Sequence, residues 1–456
     1  MLVVKEHDVA LHASGRNDGI INPGLDLRGG ELKKKYNDEG SRIYSKICNE
    51  LDVPFRFTGQ YLCFTEAWLK PAAIAALFFR WKLKGIPAVY ISRRELLKRE
   101  PNLSDKIKFA VFFPTAGVVC PYQLTIAYAE NAADNGVKIC LDTAVLKIES
   151  YGGKIKSILT NHGRIHPKLV INAAGVFAEE IAGLANDRFF SIHPGRGTNI
   201  IFDKKAARLV NTIALPYSLT ETSSSKGGSI INTIDGNLLA GPNVTETYKK
   251  EDFSTDPESI KTIFAKQKKS VPNLSEHDII TYFSGIRAAT YEEDFIVSFG
   301  KFTKNIIHAA GIQSPGLAAA PAIAKDVSKM AAKYLNAPFR DHFNSIRKAI
   351  VCAAKLPDNQ RDELIKNDPD YGVIICRCEE VSRGEVLAAL RRSLPCDSID
   401  GVKRRIRPGM GRCQGSFCGP LVAQIIAVEK KIMLTQVKKM SNDSKLLLGD
   451  NKESLC

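Results

Sequence analysis

No apolar run in this chain is long enough to cross a bilayer. Stretches such as Ala72 to Phe79 stop far short of the roughly 20 residues a membrane-spanning helix needs. Met1-Leu2-Val3-Val4-Lys5 leads directly into charged residues, without the basic, apolar and small-residue succession of a secretory leader. Internal repeats and long low-complexity segments are also missing, which excludes solenoid and fibrous architectures. The formal net charge is +15, yet zinc-finger spacing, a basic helix and an RNA-binding aromatic motif are all lacking. The basic residues are dispersed, so the expectation is a Lys-rich surface that favours acidic substrates or partners, with no nucleic acid. Eleven cysteines in 456 residues do not make a small secreted disulfide scaffold: four cluster and seven are scattered, which fits a reducing cytoplasm.

What is present is 44% hydrophobic residues, enough for a large core and more than one domain. Up to about residue 345, short β-branched runs such as Lys168-Leu169-Val170-Ile171 and Asn305-Ile306-Ile307 alternate with Ala-rich helical stretches, a mixed α/β texture. Residues 346–371 are polar and contain Pro357 and Pro369, a linker with one short helix expected around Asn359 to Lys366. A compact cysteine-bearing unit occupies 372–428, and a Lys-rich tail with little pattern fills 429–456.

The cysteine unit carries the most specific chemistry. Cys376 and Cys378 are separated by one residue, Cys413 and Cys418 by four. Zinc and iron–sulfur clusters are the two options for four thiolates arriving in pairs. Structural zinc favours pairs two to four residues apart, because each pair chelates one ion; a pair separated by a single residue suits a dinuclear cluster, each pair clamping its own iron. Glycines at 409, 411, 415 and 419 let backbone amides approach the sulfurs. Between the pairs runs Lys403-Arg404-Arg405-Ile406-Arg407, read either as cations that favour the reduced cluster or as a solvated basic face. The run Cys376-Arg377-Cys378-Glu379 … Arg407-Pro408-Gly409-Met410-Gly411-Arg412-Cys413-Gln414-Gly415 … Cys418-Gly419 resembles the bacterioferritin-associated-ferredoxin-like [2Fe-2S] domain, in the version attached to flavin-dependent glycerol-3-phosphate dehydrogenases of the anaerobic type.

Three stretches upstream suit a bound nucleotide. Ala13-Ser14-Gly15-Arg16-Asn17-Asp18-Gly19-Ile20 is a glycine-punctuated polar loop. Leu169-Val170-Ile171-Asn172-Ala173-Ala174-Gly175 reads as a buried strand that breaks at small residues into a helix, where open α/β sheets take ligands. Ile307-His308-Ala309-Ala310-Gly311-Ile312-Gln313-Ser314-Pro315-Gly316-Leu317 ends a strand in a turn and a helix N-terminus, whose dipole favours an anion. In this order and spacing the stretches resemble the D-amino-acid-oxidase-like flavoprotein superfamily, over nearly all of residues 1–330. The resemblance implies an FAD-binding Rossmann-like domain with an inserted antiparallel-sheet substrate domain, followed by a small helical [2Fe-2S] module. It implies cofactor contacts at Glu6, Ser14, Asn17, Gly19, Ile20, Val145, Ala173, Gly175, Gly311, Ser314, Gly316 and Leu317.

One departure stands out. Such flavoproteins open with a strand and a Gly-x-Gly-x-x-Gly turn, and no such turn lies upstream of residue 14. Met1-Leu2-Val3-Val4 resembles the second strand instead, which leads us to expect a truncated N-terminus. On the substrate side, Gly285-Ile286-Arg287-Ala288 resembles the segment whose arginine meets an anionic substrate end, with Arg196 a second contact and Gly241-Pro242-Asn243 a loop bordering the pocket. The base is open: relatives often carry histidine where this chain has Asn22, leaving His308 and His193, with His308 the expected catalytic partner of Arg287. The resemblance implies oxidation of a small anionic alcohol, foremost sn-glycerol 3-phosphate. Electrons would pass through the cluster to a partner subunit, through which the protein could sit peripherally on a membrane. Two other readings remain: a 2-hydroxy acid such as 2-hydroxyglutarate as substrate, or a non-catalytic electron-transfer subunit.

Overall fold

The structure is a computed structural model and describes residues 1–24, 30–217, 228–338 and 340–449. A nine-stranded sheet forms the broadest layer, in the order Thr245–Glu246, His193–Phe202, Leu238–Gly241, Ser229–Asn232, Ile213–Pro216, Gln60–Phe64, Phe109–Phe113 and Val89–Ser92, with Ile279–Ala289 on the other edge of His193–Phe202. All its ladders are antiparallel except that between Ile213–Pro216 and Gln60–Phe64. Alternation along the strands divides their duties. Tyr61, Cys63, Ile200 and Phe202 join a core with Ile263 and Phe264 of the helix Pro257–Ser270, whereas Gln60, Leu62, Gly197 and Asn199 turn to a cavity on the opposite face.

The part expected to bind a nucleotide is built from two parallel ladders: Leu2–Val3 beside Ile139–Cys140, and Val170–Asn172 beside Ile306–Ala310. Among the described residues these belong to separate sheets. The long helices Glu31–Glu50 and Gly316–Leu335 pack on each other over this region, and the N-terminus of the second faces the cavity. No helix among the described residues is long and apolar enough to cross a membrane.

The cysteine unit folds as a hairpin, Ile374–Cys376 with Val381–Ser382, followed by helices Arg383–Leu390, Ile399–Ile406 and Cys418–Lys430. A capping box between Ser382 and Glu385 starts the first helix. Val386, Leu390, Val402, Val422 and Ile426 form a core of its own. The short linker helix spans Asp358–Asn367, in line with expectation. Two flanking segments do more than expected. Ile350 of the linker packs on the module core. After Val428, Val437 is fully buried in that core, and the backbone N–H groups of Ile399 and Asp400 donate to the carbonyls of Lys438 and Lys439 at 3.0 and 2.9 Å.

The basic run between the cysteine pairs is neither a solvated face nor chiefly a cluster-facing one. Arg404 and Arg405 both bond Asp8 of the N-terminal body, Arg405 through both carboxylate oxygens at 2.9 and 3.2 Å, with the three side chains almost wholly buried. Arg407 donates to Tyr122 Oη and Glu379 at 2.9 Å and pairs with Asp235 at 2.7 Å. Nearby, the inaccessible carboxylate of Glu130 takes Arg347 at 2.6 Å and Arg392 at 2.7 Å. Val9, Ile126, Ala129 and Leu394 fill the space between as an apolar patch. Within the basic run, the charge of Lys403 feels the thiol of Cys418.

Burial alone would raise the Asp8 and Glu130 carboxyls, but the arginines overcome it and hold both below their ordinary values of 3.8 and 4.5. A depressed carboxyl contributes stability above its unfolded pKa and loses it as the pH falls through its folded pKa. The clamp is therefore complete at neutral pH and opens on acidification below about pH 4. Removing one partner leaves a buried unpaired charge, a loss of about 3–5 kcal/mol. Asp8→Ala is expected to raise amide exchange and protease sensitivity across 390–410 at pH 7, as wild type does on acidification; unchanged protection in the variant would contradict the role of Asp8.

Candidate functional site

A large cavity of about 1270 Å³ lies between the nine-stranded sheet and the part expected to bind a nucleotide. It exceeds the common small-molecule range of about 300–1,000 Å³, leaving room for a cofactor and a substrate together. Ser14, Asn17 and Ile20 line one side, Ala173 and Gly175 another, and Ser314, Gly316 and Leu317 a third, so three sequence-distant stretches meet in one place. The first loop is fixed internally: Asn17 Nδ2 donates to the carbonyls of Ala13 and Ser14, and its Oδ1 accepts from Gly19 N–H at 3.0 Å. Gly19 has φ +73°, and a Cβ there would lie 2.4 Å from the carbonyl oxygen of Val119, so only glycine lets the loop join that strand. The helix that begins at Gly316 directs first-turn amides toward the cavity, a ready site for a phosphate or a developing negative charge.

Other expected cofactor residues lie off the cavity wall. Gly311, φ +65°, ends the strand Ile306–Ala310 just before the turn that reaches the cavity. Val145 starts the strand Val145–Tyr151 and packs beside Ile148. Glu6 accepts a 2.9 Å bond from His12, which with Lys5 holds its carboxyl below the ordinary range.

The substrate side contains the sharpest feature. Arg287 sits opposite Gly195 in the ladder of Ile279–Ala289 and reaches the cavity half-buried, where burial pulls its pKa down and the charges of Asp18 and Glu293 partly restore it. It makes no hydrogen bond or ion pair to another described residue. A desolvated, unpaired guanidinium is costly unless an anion completes it. A Cβ on Gly197 would lie 3.6 Å from its Nε, already in van der Waals contact, so a side chain larger than alanine at 197 would crowd it. Gly241 and Pro242 border the cavity as expected. Arg196 is a correction: it is consumed by Asp252 at 3.0 Å and Asp256 at 3.3 Å and does not line the cavity.

His308 is also a correction. It is completely buried, outside the cavity wall, between Phe189 and Phe190. Its Nδ1 accepts from Asn172 at 3.1 Å, which puts the proton on Nε2, 2.8 Å from Asp187. Asp187 in turn accepts the backbone N–H groups of Phe302 and Thr303. With both nitrogens engaged, His308 ties the two parallel strands to a loop and has no free position for a substrate proton. His193 stacks on Tyr291 and no histidine lines the cavity. Sequence reasoning missed Gln60 and Asn199, which line the cavity with side-chain oxygens that are buried and have no partner among the described residues. The available signal was a polar residue interrupting each apolar strand, in Gly59-Gln60-Tyr61-Leu62 and Gly197-Thr198-Asn199-Ile200.

About the cysteine centre, Cys376 and Cys418 are buried, while Cys378 is exposed and its Sγ lies 3.8 Å from that of Cys413. The Cys376 thiol is held down to about 6, first by a hydrogen bond with Cys418 and then by the backbone N–H groups of Gly409, Glu379 and Cys378. Cys413 is likewise lowered by the amides of Phe417 and Gly415. Amides aimed at thiolates are the donor set an iron–sulfur cluster requires. A Cβ on Gly411 would lie 2.3 Å from Cys378 Cβ, which fixes glycine where the second cysteine loop crosses the first.

Comparison with known proteins agrees with this geometry. Residues 1–330 match the FAD dependent oxidoreductase family and residues 374–428 the BFD-like [2Fe-2S] binding domain. The chain belongs to the FAD-dependent oxidoreductases of the D-amino-acid-oxidase type and carries a [2Fe-2S] module. Over its full length it is 36% identical to a glycerol 3-phosphate dehydrogenase of Caloramator mitchellensis, covering 94% of that protein, and it is a homologue of that enzyme. It is 24% identical to an L-2-hydroxyglutarate dehydrogenase of Indibacter alkaliphilus over 73% of this chain and 92% of the other. An L-alpha-glycerophosphate oxidase of Mycoplasma pneumoniae solved with FAD bound superimposes with a TM-score of 0.70 at 24% identity, over 77% of this chain and 92% of that one. Gly411→Ala is expected to lower iron and sulfide per chain and weaken the visible cluster spectrum while the fold is kept. Wild-type stoichiometry in that variant would contradict the crossing geometry.

Proposed function

We propose that the chain oxidises the secondary hydroxyl of sn-glycerol 3-phosphate to give dihydroxyacetone phosphate. The observation that carries this reading is Arg287, a half-buried guanidinium on the cavity wall with no partner among the described residues. A phosphate meets it bidentately and neutralises it. The unpartnered oxygens of Gln60 and Asn199 are suited to accept from the substrate's hydroxyl groups, fixing which carbon faces the flavin. The full-length likeness to a glycerol 3-phosphate dehydrogenase favours phosphate over carboxylate as the anionic end. Bound FAD supplies a two-electron acceptor for the hydride. Ser14, Asn17, Ala173, Gly175, Ser314, Gly316 and Leu317 line the cavity, which supports them as the residues that would hold it.

Cys376, Cys378, Cys413 and Cys418 would hold the [2Fe-2S] cluster, which would take the electrons one at a time. The exposed thiol Cys378, next in sequence to exposed Arg377, marks the edge an acidic electron-accepting partner would approach. Anaerobic addition of glycerol 3-phosphate should bleach the flavin absorption and then the cluster bands. Bleaching by 2-hydroxyglutarate alone would assign the substrate to the 2-hydroxy acids, and a cluster spectrum with no flavin would make the chain an electron-transfer subunit. Arg287→Met removes a desolvated ion pair worth about 2–5 kcal/mol. It should lower kcat/KM for glycerol 3-phosphate by about 30-fold or more; a change under threefold would remove Arg287 from the substrate site.

A further inference from the structure

The segment from Ala67 to Arg94 combines cations with exposed apolar side chains. It contains Lys70, Arg80, Lys82, Lys84, Arg93 and Arg94 and no aspartate or glutamate. Its helix Lys70–Ala76 and the wider turn Leu77–Trp81 bury one side: Leu69, Ala73 and Trp81 pack with Phe64, Phe109 and Phe113. That satisfies the helix's need for a core. The outer side nonetheless carries Trp68 at 68% exposure, Phe79 at 68%, Leu83 at 67% and Phe78 at 52%. The five-residue turn contributes to this, because its extra residue keeps Trp81 inward while both Phe78 and Phe79 stay outside, edge to face at 5.2 Å.

Large apolar side chains set among lysines, on an element already anchored by its other face, have no folding role. They match the make-up of helices that lie in a membrane interface: Trp, Phe and Leu on one face and Lys or Arg flanking it. We propose that this face docks directly on an anionic phospholipid surface, with Trp68, Phe78, Phe79 and Leu83 entering the headgroup boundary and Lys82 and Lys84 meeting lipid phosphates. Charge complementarity sets the choice of occupant, since the segment lacks any acidic residue and the chain as a whole carries +15. The helix lies on the surface and does not span it, as its length requires. Its inner side chains Leu69, Ala73 and Trp81 wall the cavity, so docking brings the cavity within roughly 10 Å of lipid, one helix diameter. This contact needs no partner subunit and is independent of the substrate assignment.

The test is co-sedimentation of the full chain with vesicles of phosphatidylglycerol and phosphatidylcholine against phosphatidylcholine alone, read together with tryptophan emission. The chain has two tryptophans and Trp81 is buried, so a blue shift reports Trp68. The expected result is binding to the anionic vesicles with a blue shift. Partitioning should fall at least about tenfold on pure phosphatidylcholine and in both Phe79→Ser/Leu83→Ser and Lys82→Glu/Lys84→Glu, since each interfacial lysine contributes about 1 kcal/mol. All four residues are exposed and off the cavity wall, so an unchanged circular dichroism spectrum and cluster spectrum verify folding. Absence of binding to anionic vesicles overturns the proposal, as does binding at the wild-type level by either variant. Self-association that Phe79→Ser/Leu83→Ser abolishes, without vesicle binding, also overturns it and assigns the face to a second copy of the chain.

Discussion

Glu130 has no exposure to solvent and two guanidiniums on it, and the placement of the two halves of the molecule depends on that carboxylate and on Asp8. A buried carboxylate without cations would be prohibitively unfavourable, so the arginines at 347, 392, 404 and 405 can each occupy only one position. The apolar patch around Val9, Ile126, Ala129 and Leu394 supplies contact area but little direction. The ion pairs supply the register. Because they come from both the connector and the cysteine module, the connector is held along the body over part of its length.

The helix Pro121–Asp134 is the element through which this matters for chemistry. Leu124, Thr125 and Tyr128 line the flavin-sized cavity, while Tyr122, Ile126, Ala129 and Glu130 meet the module. These two sets follow the three-to-four-residue helical repeat, so one helix presents one face to each redox site. At its N-terminal end Tyr122 Oη accepts from Arg407 and lies 3.2 Å from the sulfur of Met410, two residues before Arg412 and three before Cys413. The module thus turns its buried thiols, Cys376 and Cys418, inward and leaves Cys378 at the surface.

Much of this was legible in the sequence where chemistry demands a local pattern. The four cysteines and the glycines around them are such a pattern, because a cluster constrains residues only a few positions apart. The three strand-to-turn stretches were legible for the same reason, and the structure brings Ser14, Gly175 and Gly316 to one cavity. What was not legible depends on pairing at a distance. His308 lies in a motif yet faces Asp187 and Asn172, partners that no spacing reveals. Arg404 and Arg405 read as a charge run, and only the fold puts Asp8 beneath them. Gln60 and Asn199 are single polar residues on apolar strands, and their meaning appears only once the sheet's cavity face is known.

On the proposed function, cavity and cysteine centre form one intramolecular electron path across the seam at Tyr122 and Arg407. Anaerobic stopped-flow mixing with glycerol 3-phosphate, following flavin and cluster absorption separately, tests it most directly. Cluster reduction is expected to follow flavin bleaching at a rate independent of protein concentration, and Arg407→Ala to slow the second phase while leaving the first unchanged. A cluster phase whose rate rises in proportion to protein concentration, or one that Arg407→Ala leaves untouched, would contradict it.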